Sequence, residues 1–372
     1  MSSRASSRLR VAPYVAACAV LLSSCTGPPS RPGTARSTQA EARASIRSLL
    51  PGSIPDRSGW AADIRDGFAA LGIAPTRKNV CAVVAVIQQE SGFRVDPVIP
   101  DLGRLAWREI DQRASEADVP RVLVHTALDL KSEDGRTYAE RIRAARTEKQ
   151  LSDIFEEFIG RVPLGRRLFS GWNPIRTRGP MQVNVAFAAR FEAVRPYPYP
   201  TARAIPDELF TRRGSLYFGI AHLLDYQAPY DRYLFRFADY NAGQYASRNA
   251  AFQRAASIAA GEPLDADGAL LAQDRSARDA GSTEQVLDDM AGPLHLGQSE
   301  IHAALEQGRT RAFEQTALYR RVFALAERRS GRHLPRAVVP RIRLHGPKIE
   351  RALTTDWYAH RVNGRFERCE RG

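Results

Sequence analysis

Glu90 is a single carboxylate at the end of an apolar stretch, residues 80–93, with the sequence VCAVVAVIQQESGF. Apolar residues recur at positions i, i+3, i+4 and i+7 from Val80 to Ile87, which is the spacing of one buried helix face. Apolar surroundings and the negative end of a helix dipole both disfavour an ionised carboxyl, so we expect Glu90 to hold its proton. A carboxyl protonated near neutral pH is what a general acid needs. The alternative is a solvated glutamate at a helix end.

The helix that positions this carboxylate has a recognisable start and end. Thr76 can cap its first turn, and Gly92 stands where a helix stops. Two later segments also carry polar groups in short motifs: residues 179–182 read Gly-Pro-Met-Gln, and residues 239–243 read Asp-Tyr-Asn-Ala-Gly. Each of the three segments is a weak signal alone, and their order along the chain makes them stronger together.

In that order, the three segments resemble the soluble-lytic-transglycosylase branch of the lysozyme-like superfamily. Its pattern is Glu-Ser-x-Phe, then Gly-x-Met-Gln, then Ala-Tyr-Asn-Ala-Gly, and the resemblance covers about residues 75–260. The whole chain also looks like an uncharacterised proteobacterial lipoprotein family. The first resemblance implies a lysozyme-like fold that cleaves peptidoglycan glycan strands without metal or other cofactor.

The resemblance gives Glu90 the role of sole catalytic acid and base. It would protonate the glycosidic oxygen between N-acetylmuramic acid and N-acetylglucosamine. As the carboxylate it would then take a proton from the muramoyl 6-hydroxyl, so that a 1,6-anhydro ring closes. This mechanism needs one carboxyl that changes roles, unlike the paired carboxylates of most glycosidases.

The resemblance also implies a set of substrate-binding residues around Glu90. They are Ser91, Phe93, Met181, Gln182, Tyr240 and Asn241. Ser91 would hold the acid or the substrate by a hydrogen bond, Tyr240 would orient the acid, and Asn241 would bind an acetamido group. Bland alternatives stay open, since Met181 and Tyr240 suit a core and Gln182 and Asn241 suit turns or caps.

Two departures from the family pattern bear on activity. Asp239 replaces the usual alanine, and an inward-pointing charge there would raise the pKa of Glu90 or bind a substrate hydroxyl. Residues 94–178 separate Glu90 from Met181 and form a long, mostly helical insertion. We expect it to cover the groove, set substrate length, dock a partner or block access.

The N-terminus predicts export. Three arginines precede a short apolar stretch, residues 11–22, which is typical of a secretory signal and too short to cross a bilayer. Leu-Ser-Ser-Cys at residues 22–25 resembles a bacterial lipobox, which implies a signal peptide at residues 1–24, lipid on Cys25 and a tether at residues 25–45. An ordinary signal peptide with a coincidental cysteine is the alternative. Thr26, in place of aspartate, resembles outer-membrane lipoproteins.

Two cysteines remain in the mature chain, Cys81 and Cys369. In an oxidising periplasm they could form one disulfide, or Cys81 could be a buried, reduced thiol on the helix. No CxxC pair or clustered set of histidines and cysteines suggests a zinc site.

The formal net charge is +13, and residues 331–372 hold ten basic and four acidic residues. This excess favours an acidic surface or polymer, such as anionic lipid head groups or the carboxylate-bearing peptides of the cell wall. A soluble surface of high pI is the alternative, and nucleic acid is not expected for an exported lipoprotein.

Helical spacing dominates the rest of the chain, so we predict a predominantly α fold. We expect a lysozyme-like domain at residues 46–260 and a basic, helical C-terminal extension at residues 261–372. Within that extension, residues 298–329 read as one long helix and residues 338–344 as the best strand candidate.

The predicted function is that of a lytic transglycosylase anchored by lipid to the periplasmic face of the outer membrane. Its partners would be peptidoglycan strands and, through the lipid, the membrane. The alternatives are a hydrolytic muramidase of the same fold, an inactive wall-binding or scaffold lipoprotein, and an unrelated helical interaction protein.

Overall fold

The structure is a computed structural model that describes residues 32–161, 167, 173–271, 282–343 and 353–372. Of the described residues, those from residue 42 onward belong to one compact unit. The described residues lie mainly in helices, which confirms the predicted predominantly α class. The signal peptide, Cys25 and the first part of the predicted tether lie outside the described residues, so these predictions stay predictions. The rest of the predicted tether, residues 32–45, is helical in this structure.

Helices and one short hairpin make up the regular structure of the described residues. The first helices are α1 (Pro32–Leu49), α2 (Arg57–Leu71), α3 (Arg77–Glu90), α4 (Leu102–Glu116), α5 (Arg121–Leu128), α6 (Tyr138–Ala144) and α7 (Glu148–Arg161). An antiparallel pair of two-residue strands comes next, β1 (Thr177–Arg178) and β2 (Val183–Asn184). The later helices are α8 (Val185–Val194), α9 (Ile205–Glu208), α10 (Arg212–Leu224), α11 (Tyr233–Ala242), α12 (Ala246–Ala260), α13 (Ser282–Asp289), α14 (Ala291–Leu294), α15 (Gln298–Glu306), α16 (Ala317–Ser330) and α17 (Thr355–Arg371).

Helix α3 begins and ends where its sequence predicts. The Thr76 hydroxyl accepts a hydrogen bond from the Asn79 N–H at 3.2 Å, which satisfies one of the free amides of the first turn. The helix ends at Glu90, and Gly92 and Phe93 follow with φ of 59° and 63°. The left-handed backbone at these two residues turns the chain away from the helix axis, so the half-buried Glu90 stands at the corner of a buried helix.

The central core packs α2, α3, α8, α10, α11 and α17 together. A disulfide joins Cys81 near the start of α3 to Cys369 near the end of α17. Near the other ends of these helices, Tyr358 of α17 contacts Glu90 of α3. The two helices are therefore antiparallel, and the C-terminal helix, which the sequence places in a separate extension, contributes Tyr358, Ala359 and Val362 to this core.

Two further hydrophobic clusters lie in the described residues. The insertion, residues 94–178, folds α4 to α7 around its own cluster, which also takes in Ile175 and Phe210. Helices α12 to α16 build the other cluster, after which the chain returns to the central core through α17. Residues 261–354 therefore form a second added region, inserted before the last helix of the central core.

The prediction of one long helix at residues 298–329 is wrong. Helix α15 ends at Glu306, and two short 3₁₀ turns precede α16. The buried guanidinium of Arg248 donates to the carbonyls of Gly308 at 2.5 Å and Thr310 at 2.7 Å. These contacts hold the turns between α15 and α16, where the chain leaves the helical path to bury Phe313.

The predicted strand at residues 338–344 is also wrong in its described part, because this segment forms no ladder. Its backbone groups bind three different parts of the chain instead. The Val338 N–H donates to the Ser247 carbonyl at 3.0 Å, and the Arg341 N–H donates to the Ala266 carbonyl at 2.7 Å. Arg343 forms an isolated antiparallel bridge further along.

Candidate active site

Glu90 lines a cavity of about 1390 Å³. The floor and sides come from α3, the β1–β2 hairpin, α8, α10, α11 and α17, together with loop residues of the second added region. Pockets for small molecules in proteins usually measure roughly 300–1,000 Å³, so this cavity has room for a ligand longer than one drug-sized molecule. A carboxylate at the end of a buried helix thus faces an extended groove.

Tyr358 holds the Glu90 carboxylate. Its buried hydroxyl donates a hydrogen bond to Glu90 Oε1. Burial and the neighbouring Glu90 charge raise the pKa of Tyr358 well above its usual value, so the hydroxyl keeps its proton and remains a donor. Thr354 caps α17 through the Trp357 N–H at 3.1 Å, which fixes the first turn that carries Tyr358.

Sequence reasoning missed Tyr358, although two signals pointed to it. Tyr358, Val362 and Phe366 recur every four residues and indicate a buried helix face. If Cys369 binds Cys81, that face must run along α3, and at 1.5 Å per residue Tyr358 then lies about 17 Å back along its helix, near the end of α3.

Tyr240 does not take the predicted role of orienting Glu90 by a hydrogen bond. Its hydroxyl donates to the backbone carbonyl of Met181 at 2.7 Å, which links α11 to the hairpin. Burial, with the charge of Glu90 as a second cause, raises the pKa of Tyr240 well above its usual value. Tyr240 does line the cavity, and its ring lies 4.9 Å from that of His222.

His222 is a buried histidine beside the cavity that sequence reasoning did not single out. Its ring stacks on Phe187 with 4.4 Å between ring centres. Burial, aided by the charge of Arg190, lowers the pKa of His222 to about 4. The ring is therefore neutral at pH 7, and this wall of the groove presents an uncharged aromatic surface.

Gln182 lies on the cavity as predicted, at the tip of the β1–β2 hairpin with φ of 51°. Its side-chain oxygen accepts from the Thr177 hydroxyl at 2.9 Å, and its amide nitrogen donates to Glu148 at 2.8 Å. Gly179, with φ of 72°, makes the preceding turn where a side chain would overlap with the Leu209 carbonyl. The hairpin therefore holds the Gln182 amide in one orientation.

Three residues predicted to bind substrate are placed in the core instead. Met181 is fully buried and packs against α10 where Gly219 leaves room for its sulfur. Phe93 is buried edge-on against Trp60, with ring centres 5.2 Å apart. The Ser91 hydroxyl is buried and donates to a carbonyl of the last helical turn at 3.2 Å. These three residues pack inside the fold beside the site and do not line the cavity.

Asn241 is exposed on the cavity, as predicted. Its Oδ1 accepts a hydrogen bond from the Thr355 hydroxyl at 2.8 Å. The contact joins the end of α11 to the start of α17 and directs the amide group of Asn241 along the groove wall beside Tyr358.

Asp239 does not point toward Glu90, so its predicted role as a modulator of the acid is wrong. The carboxylate is fully buried and accepts hydrogen bonds from the hydroxyls of Tyr226 and Tyr230 and from the N–H groups of Tyr245 and Ser247, at 2.6–3.0 Å. Burial raises its pKa to about 6, against the lowering effect of these donors. Asp239 fixes the loop between α11 and α12, whose residues line the cavity.

The described part of the insertion leaves Glu90 accessible. Of these residues, the last three positions alone reach the cavity, through Arg176 and Thr177. The second added region contributes far more, with residue 265, residues 267–269, Arg309 and residues 341–343 along the lining. The sequence leaves open that the insertion blocks the groove. Its described part does not block it.

Two other kinds of functional feature, a membrane-spanning helix and a cluster of metal ligands, are absent from the described residues. No helix among them is both long and apolar enough to span a bilayer. In the same part of the chain, no group of three or more histidine, cysteine, aspartate or glutamate side chains is placed to hold a metal ion.

Comparison with known proteins places the chain in a family. The model of the family described as "Protein of unknown function (DUF1615)" matches residues 53–371. The chain belongs to this family. It is 46% identical over 350 residues to the uncharacterised protein YaiW of Escherichia coli (strain K12), which covers 94% of this chain and 95% of that protein. No solved structure matches the chain. The family model spans the whole cavity lining, from Glu90 to Tyr358.

Proposed function

We propose that this chain is a peptidoglycan lytic transglycosylase with a lysozyme-like central domain. The observation that carries the proposal is the placement of Glu90 at the end of α3, where it lines the groove. The Tyr358 hydroxyl, which stays protonated, donates a hydrogen bond to its carboxylate. Gln182 and Asn241, two amides from the resembling motifs, line the same groove. Amide groups of this kind suit the hydroxyl and acetamido groups of an aminosugar polymer.

The chemistry follows from one carboxyl acting twice. Glu90 gives its proton to the glycosidic oxygen, and the bond between that oxygen and the anomeric carbon breaks. The resulting Glu90 carboxylate takes the proton of the muramoyl 6-hydroxyl while that oxygen bonds to the anomeric carbon, which closes the 1,6-anhydro ring. Tyr358 donates to Oε1 throughout and stabilises the carboxylate form between the two proton transfers.

The proposed location is the periplasmic face of the outer membrane, with lipid on Cys25, upstream of α1. This location supplies the polymer that the groove would take, and it agrees with a disulfide between Cys81 and Cys369, since disulfides persist in oxidising compartments.

Glu90→Gln tests the proposal. Detergent-purified protein is incubated with sacculi, and the released muropeptides are identified by mass spectrometry. We expect anhydro-ended products, and a loss of about 10²- to 10⁴-fold in Glu90→Gln, because an amide cannot donate the proton that a general acid supplies. Glu262→Gln, at an exposed position outside the cavity lining, is the matched control and should keep full activity.

Other products separate the alternatives. Reducing ends in place of anhydro ends would assign a hydrolytic muramidase, in which water replaces the 6-hydroxyl. Binding to sacculi without product, unchanged in Glu90→Gln, would assign a wall-binding lipoprotein. Undiminished cleavage by Glu90→Gln would contradict the assignment of the acid.

A further inference from the structure

The groove that contains Glu90 is rich in arginine. Arg176 and Arg190 come from the hairpin and α8, and Arg341 and Arg343 come from the end of the second added region. All four are exposed, and none of them forms an ion pair with another described residue. With Arg309, which also lines the groove, they outnumber the three acidic lining residues, Glu90 included.

The backbone holds two of these arginines in place. The Arg341 N–H donates to the Ala266 carbonyl at 2.7 Å, and the Ile342 carbonyl accepts from the Thr355 N–H at 3.0 Å. Arg343 forms a β-bridge at the same point, with the residue before Thr355. The backbone of the segment is therefore fixed between a loop of the second added region and the first turn of α17, the helix that carries Tyr358, and both arginines start from fixed points on the groove lining.

An uncharged sugar chain gives no reason for such an excess of arginine. The guanidinium group is a planar fork of N–H donors that matches a carboxylate in two parallel hydrogen bonds. Carboxylates in peptidoglycan are concentrated on the short peptides that branch from the glycan strand. A groove that takes the strand past Glu90 would bring those branches to its arginine-lined walls.

We propose that Arg176, Arg190, Arg341 and Arg343 bind the carboxylates of the peptide branches, so that the groove selects peptide-bearing strands over peptide-free strands. This inference rests on the proposed function, because it takes the groove to be the glycan site. It assigns a specificity role to the second added region, which supplies Arg341 and Arg343.

Binding to soluble, fluorescently labelled glycan fragments tests the inference in a Glu90→Gln background, where the fragments are not cut. Three fragments are compared: one with peptides, one stripped of peptides by an amidase, and one whose peptide carboxyls are converted to amides. The test variant adds Arg341→Gln and Arg343→Gln. The matched control adds Arg328→Gln and Arg329→Gln, which remove the same charge from exposed positions of α16 outside the groove.

We expect the test variant to bind the peptide-bearing fragment about tenfold more weakly, since two exposed arginine–carboxylate contacts contribute up to about 1 kcal/mol each. Its affinity for the stripped and amidated fragments should not change, and the control should bind all three like its parent. A second pair, Arg176→Gln and Arg190→Gln, should show the same pattern, and equal melting temperatures show that each variant is folded.

Three results would overturn the inference. The first is an unchanged affinity of both double variants for the peptide-bearing fragment, and the second is an equal loss on stripped and peptide-bearing fragments. The third comes from a parallel binding assay with vesicles containing phosphatidylglycerol: a loss confined to these vesicles would point to a lipid surface. Failure of the proposed function has a different readout, because it appears as absence of anhydro products from the chain with intact Glu90 and all arginines.

Discussion

The two added regions are similar in length but differ in their relation to the groove. Residues 94–178 build their own hydrophobic cluster and touch the groove only where they return to the hairpin, within the part of the chain described. Residues 261–354 also build their own cluster, yet they line the groove at several points. Length therefore does not decide how much of the groove a region lines.

The second region also differs in the element to which it connects. It leads directly into α17, which brings Tyr358 to Glu90 and Cys369 to Cys81. The first region leads into the hairpin that carries Gln182. Substitutions in the core and in both regions test this contrast, and they are ordered by the size of the change that we expect.

Removal of the disulfide should have the largest effect. Cys81→Ser with Cys369→Ser should lower the free energy of unfolding by about 2–4 kcal/mol, because a cross-link between distant residues restricts the unfolded chain. Urea unfolding followed by circular dichroism measures this change. A reductant should shift the wild type toward the double variant and leave the variant unchanged. Equal midpoints for the oxidised wild type and the variant would show that the core holds α17 without the bond.

His222 gives the central core a contribution to stability that is lost in acid. The pKa of His222 is about 4 in the fold and about 6.5 in an unfolded chain, so between these values the unfolded state binds more protons. The contribution of His222 to stability should therefore fall by about 3 kcal/mol as the pH drops from 6.5 to 4, while the raised pKa of the buried Asp239 contributes with the opposite sign over an overlapping range. His222→Gln should flatten this dependence in urea unfolding at a series of pH values.

His302 provides the control for that titration, with the opposite sign. Glu284 raises the pKa of His302 in the second region, so its stabilising contribution is present at low pH and is lost as the pH rises through the raised value. His302→Gln should leave the acid-induced loss in place. If the free energy of unfolding became less dependent on pH in His302→Gln and not in His222→Gln, the acid-induced loss would belong to His302 and not to His222.

Tyr358→Phe should reduce turnover by about 10- to 100-fold, since a hydrogen bond to a charged group contributes about 1.5–3 kcal/mol. The substitution removes one oxygen and keeps the ring that packs in the core, so the melting temperature should change little. Anhydro-muropeptide release gives kcat and KM separately, and we expect the loss in kcat. Trp357→Phe, on the exposed side of the same helix, is the control. An unchanged kcat would show that Tyr358 only packs beside the acid.

Local patterns account for the parts of the fold and site that could be predicted. The cap at Thr76, the buried face of α3 and the position of Glu90 depend on residues within one helix, and they lie where the sequence indicates. Phe93 and Met181 belong to the motifs themselves, so the resemblance predicts that they bind substrate in the groove. Their side chains fill the core, since a short motif contains both the groups that meet substrate and those that hold its backbone.

Contacts between distant residues account for the parts that could not be predicted. Tyr358 lies 268 residues from Glu90 and follows a proline-interrupted, basic stretch without a clear periodicity. Arg248, on another helix, binds carbonyls of the turns that interrupt the predicted helix at residues 298–329. Periodicity and capping report local preferences, whereas these two outcomes depend on which elements meet after folding.

Glu148→Gln should have the smallest effect, and it tests the first region directly. Glu148 begins α7 and accepts the amide N–H of Gln182 at 2.8 Å, a contact between the insertion and a groove residue. An amide at this position still offers an oxygen to that N–H, and Thr177 continues to bind the other end of Gln182. We therefore expect a loss of less than about fivefold in kcat/KM, which corresponds to less than about 1 kcal/mol.

The measurement is the same muropeptide assay, with Glu116→Gln as the control because Glu116 is an exposed residue of the same insertion. A loss in Glu148→Gln as large as that in Tyr358→Phe would mean that the hairpin depends on the insertion as strongly as the acid depends on α17. The contrast between the two added regions would then be one of contact area along the groove and not of importance to the reaction. A loss below fivefold would leave the first region as a support for the hairpin, with the second region and α17 as the part that completes the site.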